Sequence, residues 1–470
     1  MINVIFVFLL VDSQVPIKNG RSRASLLDKN VDDIIVNECN VTPTKPPDRY
    51  NIGILIFCIL GTCLLLPWYF FITANDYWMY KLRTLPENNQ IHLFMLNNNE
   101  DRSKLQTNFT CLLTIAASIP STLTLLLNTH LAKKSSIQFR MISSLISMII
   151  LFTITTVLVN VDTDSWQILF FLITLGSVIF LNIGSSIMQG AVFNLVSFFD
   201  SSYMTATICG QALGGIVTAI SQILALWWGA SSVHSAFIYF LFANILILIS
   251  LVLYTVLVKM NIYKYYVEDV PASIRARSST QYTLIDSNQI VAVDNYVVLK
   301  KIWKLGFSLF YNYVVTMSIY PAVTVLITSV NIEHTAWTDI YFIPVINYLL
   351  FNICDFLGRI LSNFLKLPLN SIWPSVILST LRTAFIPLLM LCNANPRYYL
   401  PTLINNDRIY AIIMSLFGFT NGIVNNITIA SIPHFVNKHE QEVASSLMIT
   451  FLSFGISSGT LISFGMVNLL

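Results

Sequence analysis

Charge is what this sequence is short of: only 10% of its 470 residues are Asp, Glu, Lys or Arg, where a soluble domain carries about 25%. A soluble body of this length would expose more surface than so few charges could cover. A disulfide framework is excluded as well. The seven cysteines are odd in number, and all but Cys39 lie in or beside apolar blocks, where a thiol behaves as a small hydrophobe. No glycine loop ends in Lys-Ser or Lys-Thr, so no ATP-driven module is present. The six histidines show no paired ligand spacing, so no metal and no cofactor is expected. No Ser, His and carboxylate set can be assembled, which argues against an enzyme. The net charge of +3 is small, and no nucleic-acid partner is expected.

What the chain does have is apolar sequence, 55% of residues, with a mean hydropathy of +0.69. It comes in blocks of about twenty residues, the length that crosses a hydrocarbon layer roughly 30 Å thick. Lipid offers no hydrogen-bond partners, so such blocks must be helices or closed barrel strands. Apolar on every face, they lack a barrel's alternation. The expected fold class is all-α: a polytopic protein in a lipid bilayer, with about eleven transmembrane helices. They fall near 51–75, 109–130, 137–160, 167–197, 203–228, 235–259, 301–329, 339–363, 371–392, 408–431 and 442–468.

A polar, serine-rich stretch, "VPASIRARSSTQYTLIDSNQ", divides these spans six and five. The expected domains are a cytoplasmic tail over 1–50, a six-helix bundle over 51–259, a cytoplasmic linker over 260–300 and a five-helix bundle over 301–470. With the amino terminus inside, nineteen Lys and Arg fall on the inner side and six on the outer side, while Arg382 lies within a span. That bias sets the orientation.

Ionisable side chains inside spans are costly, about 2.5–3.5 kcal/mol each on insertion scales. In "YLLFNICDFLGRILSN" (348–363), Asp355 and Arg359 stand four apart and share one helix face, which Asn352 extends. One reading is an internal ion pair that pins helices. The other is a carboxylate for hydroxyl groups and a guanidinium fork for an acceptor edge, both facing a wet path. Pro67 breaks a backbone hydrogen bond in the first span and can turn Trp68 inward. There an indole can stack on a flat ring, although Trp68 could equally belong to an interfacial belt. In "FLNIGSSIMQGAVFNL" (180–195), Asn182, Ser185, Ser186 and Gln189 share one broad face. Gln189 can read a heterocycle edge, or the face can be helix–helix glue.

Taken in order, several blocks resemble the equilibrative nucleoside transporters. They include "LLLPWYFFITANDYW" (64–78), "SIMQGAVF" (186–193), "GQALGG" (210–215), "YPAVTV" (320–325) and "YFIPVINYLLFNICDFLGR" (341–359). Further on come "FIPLLMLCNANPRYYL" (385–400), "GFTNG" (418–422) and "EVASSLMITFLSFGISSG" (442–459). The resemblance runs from about residue 50 to the end of the chain. It implies eleven helices, a 6+5 arrangement like the major facilitator fold without its last helix, and a central cavity between two bundles. It also implies Trp68 and Gln189 on the base, with Asp355, Arg359 and Asn352 near the ribose or base edge. Pro120 matches a family proline, which makes Ser118 and Ser121 cavity liners; Ser185 joins them from the Gln189 face. Tyr69 departs from the family, standing where many members have asparagine.

The expected function is facilitated transport of purine and pyrimidine nucleosides by alternating access. The rivals are a nucleobase carrier, a proton-coupled nucleoside carrier, and a receptor or scaffold that moves nothing. The expected location is the plasma membrane, with an endolysosomal membrane as the alternative.

Overall fold

The structure, a computed structural model, describes residues 46–83, 104–228, 232–269, 295–331, 335–362, 364, 371–395, 397, 399–437 and 440–470. Most of the expected tail, 1–45, and most of the linker, 270–294, lie outside the described residues. Contacts group residues 56–256 and 289–470 into one main compact unit, while a small second unit is represented by 46–55 and 257–269.

Helices dominate the described residues. They are α1 Ile52–Leu64, α2 Leu66–Thr73, α3 Lys104–Lys134, α4 Ile137–Val159, α5 Gln167–Val196, α6 Ser201–Trp227 and α7 Ser232–Lys259. After residue 294 follow α8 Asn295–Ile319, α9 Phe351–Leu361, α10 Trp373–Leu381, α11 Phe385–Met390, α12 Asp407–Ala430 and α13 Gln441–Leu469. Wide π-type turns, Ile343–Leu350, lead into α9.

By length and apolarity, nine helical segments among the described residues can cross a membrane, and the bent pair of α1 and α2 makes ten. The further span expected near 109–130 falls on α3, whose apolar part, Leu112–Asn128, is shorter than these segments and is not counted among them. The count of eleven therefore depends on α3. This helix carries Ser118, Ser121, Thr122 and Asn128 along its apolar stretch, hydroxyl and amide groups that lower its hydropathy.

Local chemistry sets the helix ends and bends. Ser136 caps α4 by accepting from the Phe139 N–H at 3.2 Å, and Asn406 caps α12 through the N–H of Arg408 at 2.9 Å, as N-cap side chains do. Pro67 sits in the first turn of α2, just after the break at Leu65, and the two segments meet at 47°. A proline lacks the N–H to continue the ladder, so the bend has a covalent cause. Beyond α2, Lys81 donates to the Val161 carbonyl at 2.7 Å and Arg83 pairs with Asp164 at 2.7 Å. Burial lowers the Lys81 pKa, while Asp164 and Asp162 oppose that shift.

Within the main unit, the helices before residue 257 meet those after 294 along two principal seams: α3 against α13, and α6 against α9. On the first seam, Thr122 shares a hydrogen bond of 2.7 Å with Ser457, whose hydroxyl reaches the Ser118 carbonyl at 3.2 Å. Side chains along these seams are small or polar, which suits helices that attract one another through packing and hydrogen bonds rather than hydrophobicity.

Candidate functional site

Between the two seams lies a chamber of about 110 Å³, with walls from α1 to α3, α5, α8, α9, α12 and α13. The break at Leu65 turns Trp68 and Tyr69 into it. Ser185 donates to the Leu64 carbonyl and holds the broken end of α1 against α5. One turn further along α5, Gln189 lines the chamber at 5% exposure. Its Nε2 is buried and has no hydrogen-bond partner among the described residues. A buried amide donor left unsatisfied costs about 1–3 kcal/mol, so Gln189 is poised for an acceptor that a guest could supply. On α3, Ser118 donates back to the Thr114 carbonyl at 2.7 Å, and Ser121 reaches the Asn182 carbonyl at 3.5 Å. Both line the chamber.

The opposite wall carries the charge. Asp355 and Arg359 are each 2% exposed. The Asp355 Oδ2 accepts from Arg359 Nε at 2.9 Å and Nη2 at 2.8 Å. Asp355 Oδ1 accepts from Asn421 Nδ2 at 2.7 Å. The Asn421 Oδ1 in turn accepts from Arg382 at 2.9 Å, Asn312 at 3.0 Å and Thr316 at 2.9 Å. Arg382 also bonds Asn312, donates to the Phe417 carbonyl at 3.2 Å and lies over the Phe417 ring. With the Asn425 amide turned to satisfy its neighbours, its oxygen accepts from Arg359 Nη2 at 3.1 Å. Every strong contact of the carboxylate is thus to a donor, which is how a buried charge survives without water. Beside this network, Tyr320 and Phe351 stack at 4.1 Å and give the charged wall a flat apolar shelf.

The tightness of α9 on α12 makes this geometry. A Cβ added at Gly422 would lie 2.0 Å from the Asp355 carbonyl oxygen, and one at Gly358 would lie 2.2 Å from the Phe419 carbonyl oxygen. Only glycine lets the two backbones come this close, and that approach brings Asn421 within reach of Asp355. One bond of the network leaves the second set of helices: Arg359 Nη1 donates to the Ile208 carbonyl on α6 at 2.5 Å. Among the described residues, no group of three His, Cys, Asp or Glu could hold a metal ion.

The family model "Nucleoside transporter" matches residues 175–468. Rat equilibrative nucleoside transporter 1 is 32% identical over 453 residues, covering 90% of this chain and 98% of the relative. The human protein of that name is 31% identical, with 90% and 98% covered. Human equilibrative nucleoside transporter 2 is 32% identical, with 89% and 97% covered. This chain belongs to the nucleoside transporter family.

It is a multi-pass membrane protein. Nine of the residues singled out in the sequence of this nucleoside transporter family member line one chamber: Trp68, Ser118, Ser121, Asn182, Ser185, Ser186, Gln189, Asp355 and Arg359. Asn352 is absent from the lining. It is buried at the α6–α9 seam against Gly215, and its Nδ2 is turned back onto the Tyr348 carbonyl at 2.8 Å. Sequence reasoning missed Tyr313, Thr316, Tyr320, Phe351 and Asn421 as liners. "GFTNG", which holds Asn421, and "YPAVTV", which begins at Tyr320, were already conspicuous; what they lacked was a link to Asp355.

Proposed function

We propose that the chain is a passive carrier, not an enzyme, and moves nucleosides down their gradient by alternating access. The six helices before the linker and the five after it would form two halves that rock about the chamber and expose it to one side at a time. The observation that carries this reading is the convergence of a half-buried indole, an amide donor without a partner among the described residues and an acid–base couple on one chamber. A nucleoside matches that set. Its base offers a face to Trp68 and an acceptor edge to Gln189, and its ribose hydroxyls suit Asp355 and Arg359. The names of the relatives, equilibrative nucleoside transporters, support the same substrate class. The lysine- and arginine-rich side faces the cytoplasm in this reading, and the plasma membrane is the proposed location.

Purified protein in sealed vesicles tests it. Labelled uridine and adenosine should enter without ATP or an ion gradient until inside and outside concentrations are equal. Accumulation above the outside concentration on imposing a proton gradient would favour the proton-coupled alternative. Uptake of free bases but not nucleosides would replace the substrate, and no uptake of either would end the reading.

A further inference from the structure

A second cavity, of about 280 Å³, lies between the carboxyl end of α5, the start of α6, the end of α12 and the start of α13. All of these ends are on the side that the Lys and Arg distribution assigns to the cytoplasm. Its wall is shared by both sets of helices: Phe199 and Thr205 come from one, Gln441 and Ser445 from the other. Among the described residues, no Asp, Glu, Lys or Arg lines it. Among the described residues, the Thr205 and Ser445 hydroxyls and the Gln441 amide make no hydrogen bond. These described residues therefore offer uncharged donors and acceptors beside an apolar and aromatic surface.

Its position relative to the chamber is the second observation. Ile208 lines the second cavity, while its carbonyl accepts from Arg359, which lines the first. The two spaces therefore lie on either side of one contact between α6 and α9.

We propose that this cavity is a second binding station for a neutral nucleoside on the cytoplasmic route, separated from the chamber by the Arg359–Ile208 contact. The proposal rests on the chamber being a nucleoside site. The hydroxyls and amide supply partners for ribose and base edge, Phe199 and its apolar neighbours take the flat ring, and the uncharged described lining suits an uncharged solute.

Thr205→Cys and Gln441→Cys test it in reconstituted vesicles, with a membrane-impermeant, negatively charged thiol reagent applied to the lysine-rich side. Labelling of the unaltered chain is subtracted. Uridine at ten times its dissociation constant should slow labelling of both cysteines about tenfold, the mass-action ratio for one site. The same protection should persist when Trp68→Ala has weakened the chamber; Gln189→Leu serves if that variant does not reach the membrane. Protection that disappears with Trp68→Ala would overturn the proposal, since it would then report only a change of shape driven from the chamber. Absence of protection while the unaltered chain still takes up uridine would also overturn it and leave the chamber reading intact. Loss of uridine uptake by the unaltered chain would instead overturn the chamber reading itself.

Discussion

At the scale of single residues, Gln189 and Asp355 make opposite predictions although both line the chamber. The Gln189 Nε2 has no partner among the described residues, so Gln189→Leu removes an unsatisfied donor and should leave thermal stability in detergent equal or higher. Uridine uptake should lose the hydrogen bond to the base, about 0.5–1.5 kcal/mol, or a two- to tenfold rise in KM. Asp355→Ala strands Arg359, and breaking a buried pair costs about 3–5 kcal/mol. That variant should lose both stability and uptake. Equal loss of stability in the two variants would mean that Gln189 is structural glue after all. Trp68 and the Asp355–Arg359 pair were legible because their causes are local: a proline one residue away, and a spacing of four on one helix. Asn421 was not, because its partner Asp355 stands 66 residues earlier. Arg382 was legible only as a charge inside a span, since its partners Asn312 and Asn421 lie 70 and 39 residues away.

At the scale of elements, the decisive packing is backbone against backbone. Gly422→Ala would put a methyl group 2.0 Å from the Asp355 carbonyl oxygen, and α9 and α12 would have to part. Overpacking of this kind costs about 1–3 kcal/mol, and it should lower both the unfolding midpoint and uptake by moving Asn421 away from the carboxylate. Gly465→Ala is the control, because a Cβ there meets nothing within 4 Å and should change neither measurement. Apolar length located most helices in the sequence, since lipid leaves a spanning segment few alternatives. The bend between α1 and α2 could be anticipated from Pro67. The π-type turns before α9 could not: Pro344 marks an interruption, but the direction in which the chain widens depends on neighbours distant in sequence.

At the scale of the whole molecule, chemistry is divided between the two sets of helices. Among the described residues, those before 257 give the chamber no charged side chain. Those after 294 carry Asp355, Arg359 and the nearby Arg382, tied together through Asn421. Among the described residues, a bond of the network that crosses the divide, from Arg359 to the Ile208 carbonyl, is to a neutral group. A rocking motion can therefore proceed without separating the ion pair. An electric field does work only on charge that moves through it, about 2.3 kcal/mol for one charge crossing a full 100 mV. In the proposed rocking motion, charges held together on one set of helices would travel little of that distance, and an uncharged passenger contributes none. Voltage-clamped membranes holding the protein should then pass no nucleoside-evoked current, and uptake should run at the same rate whatever the potential.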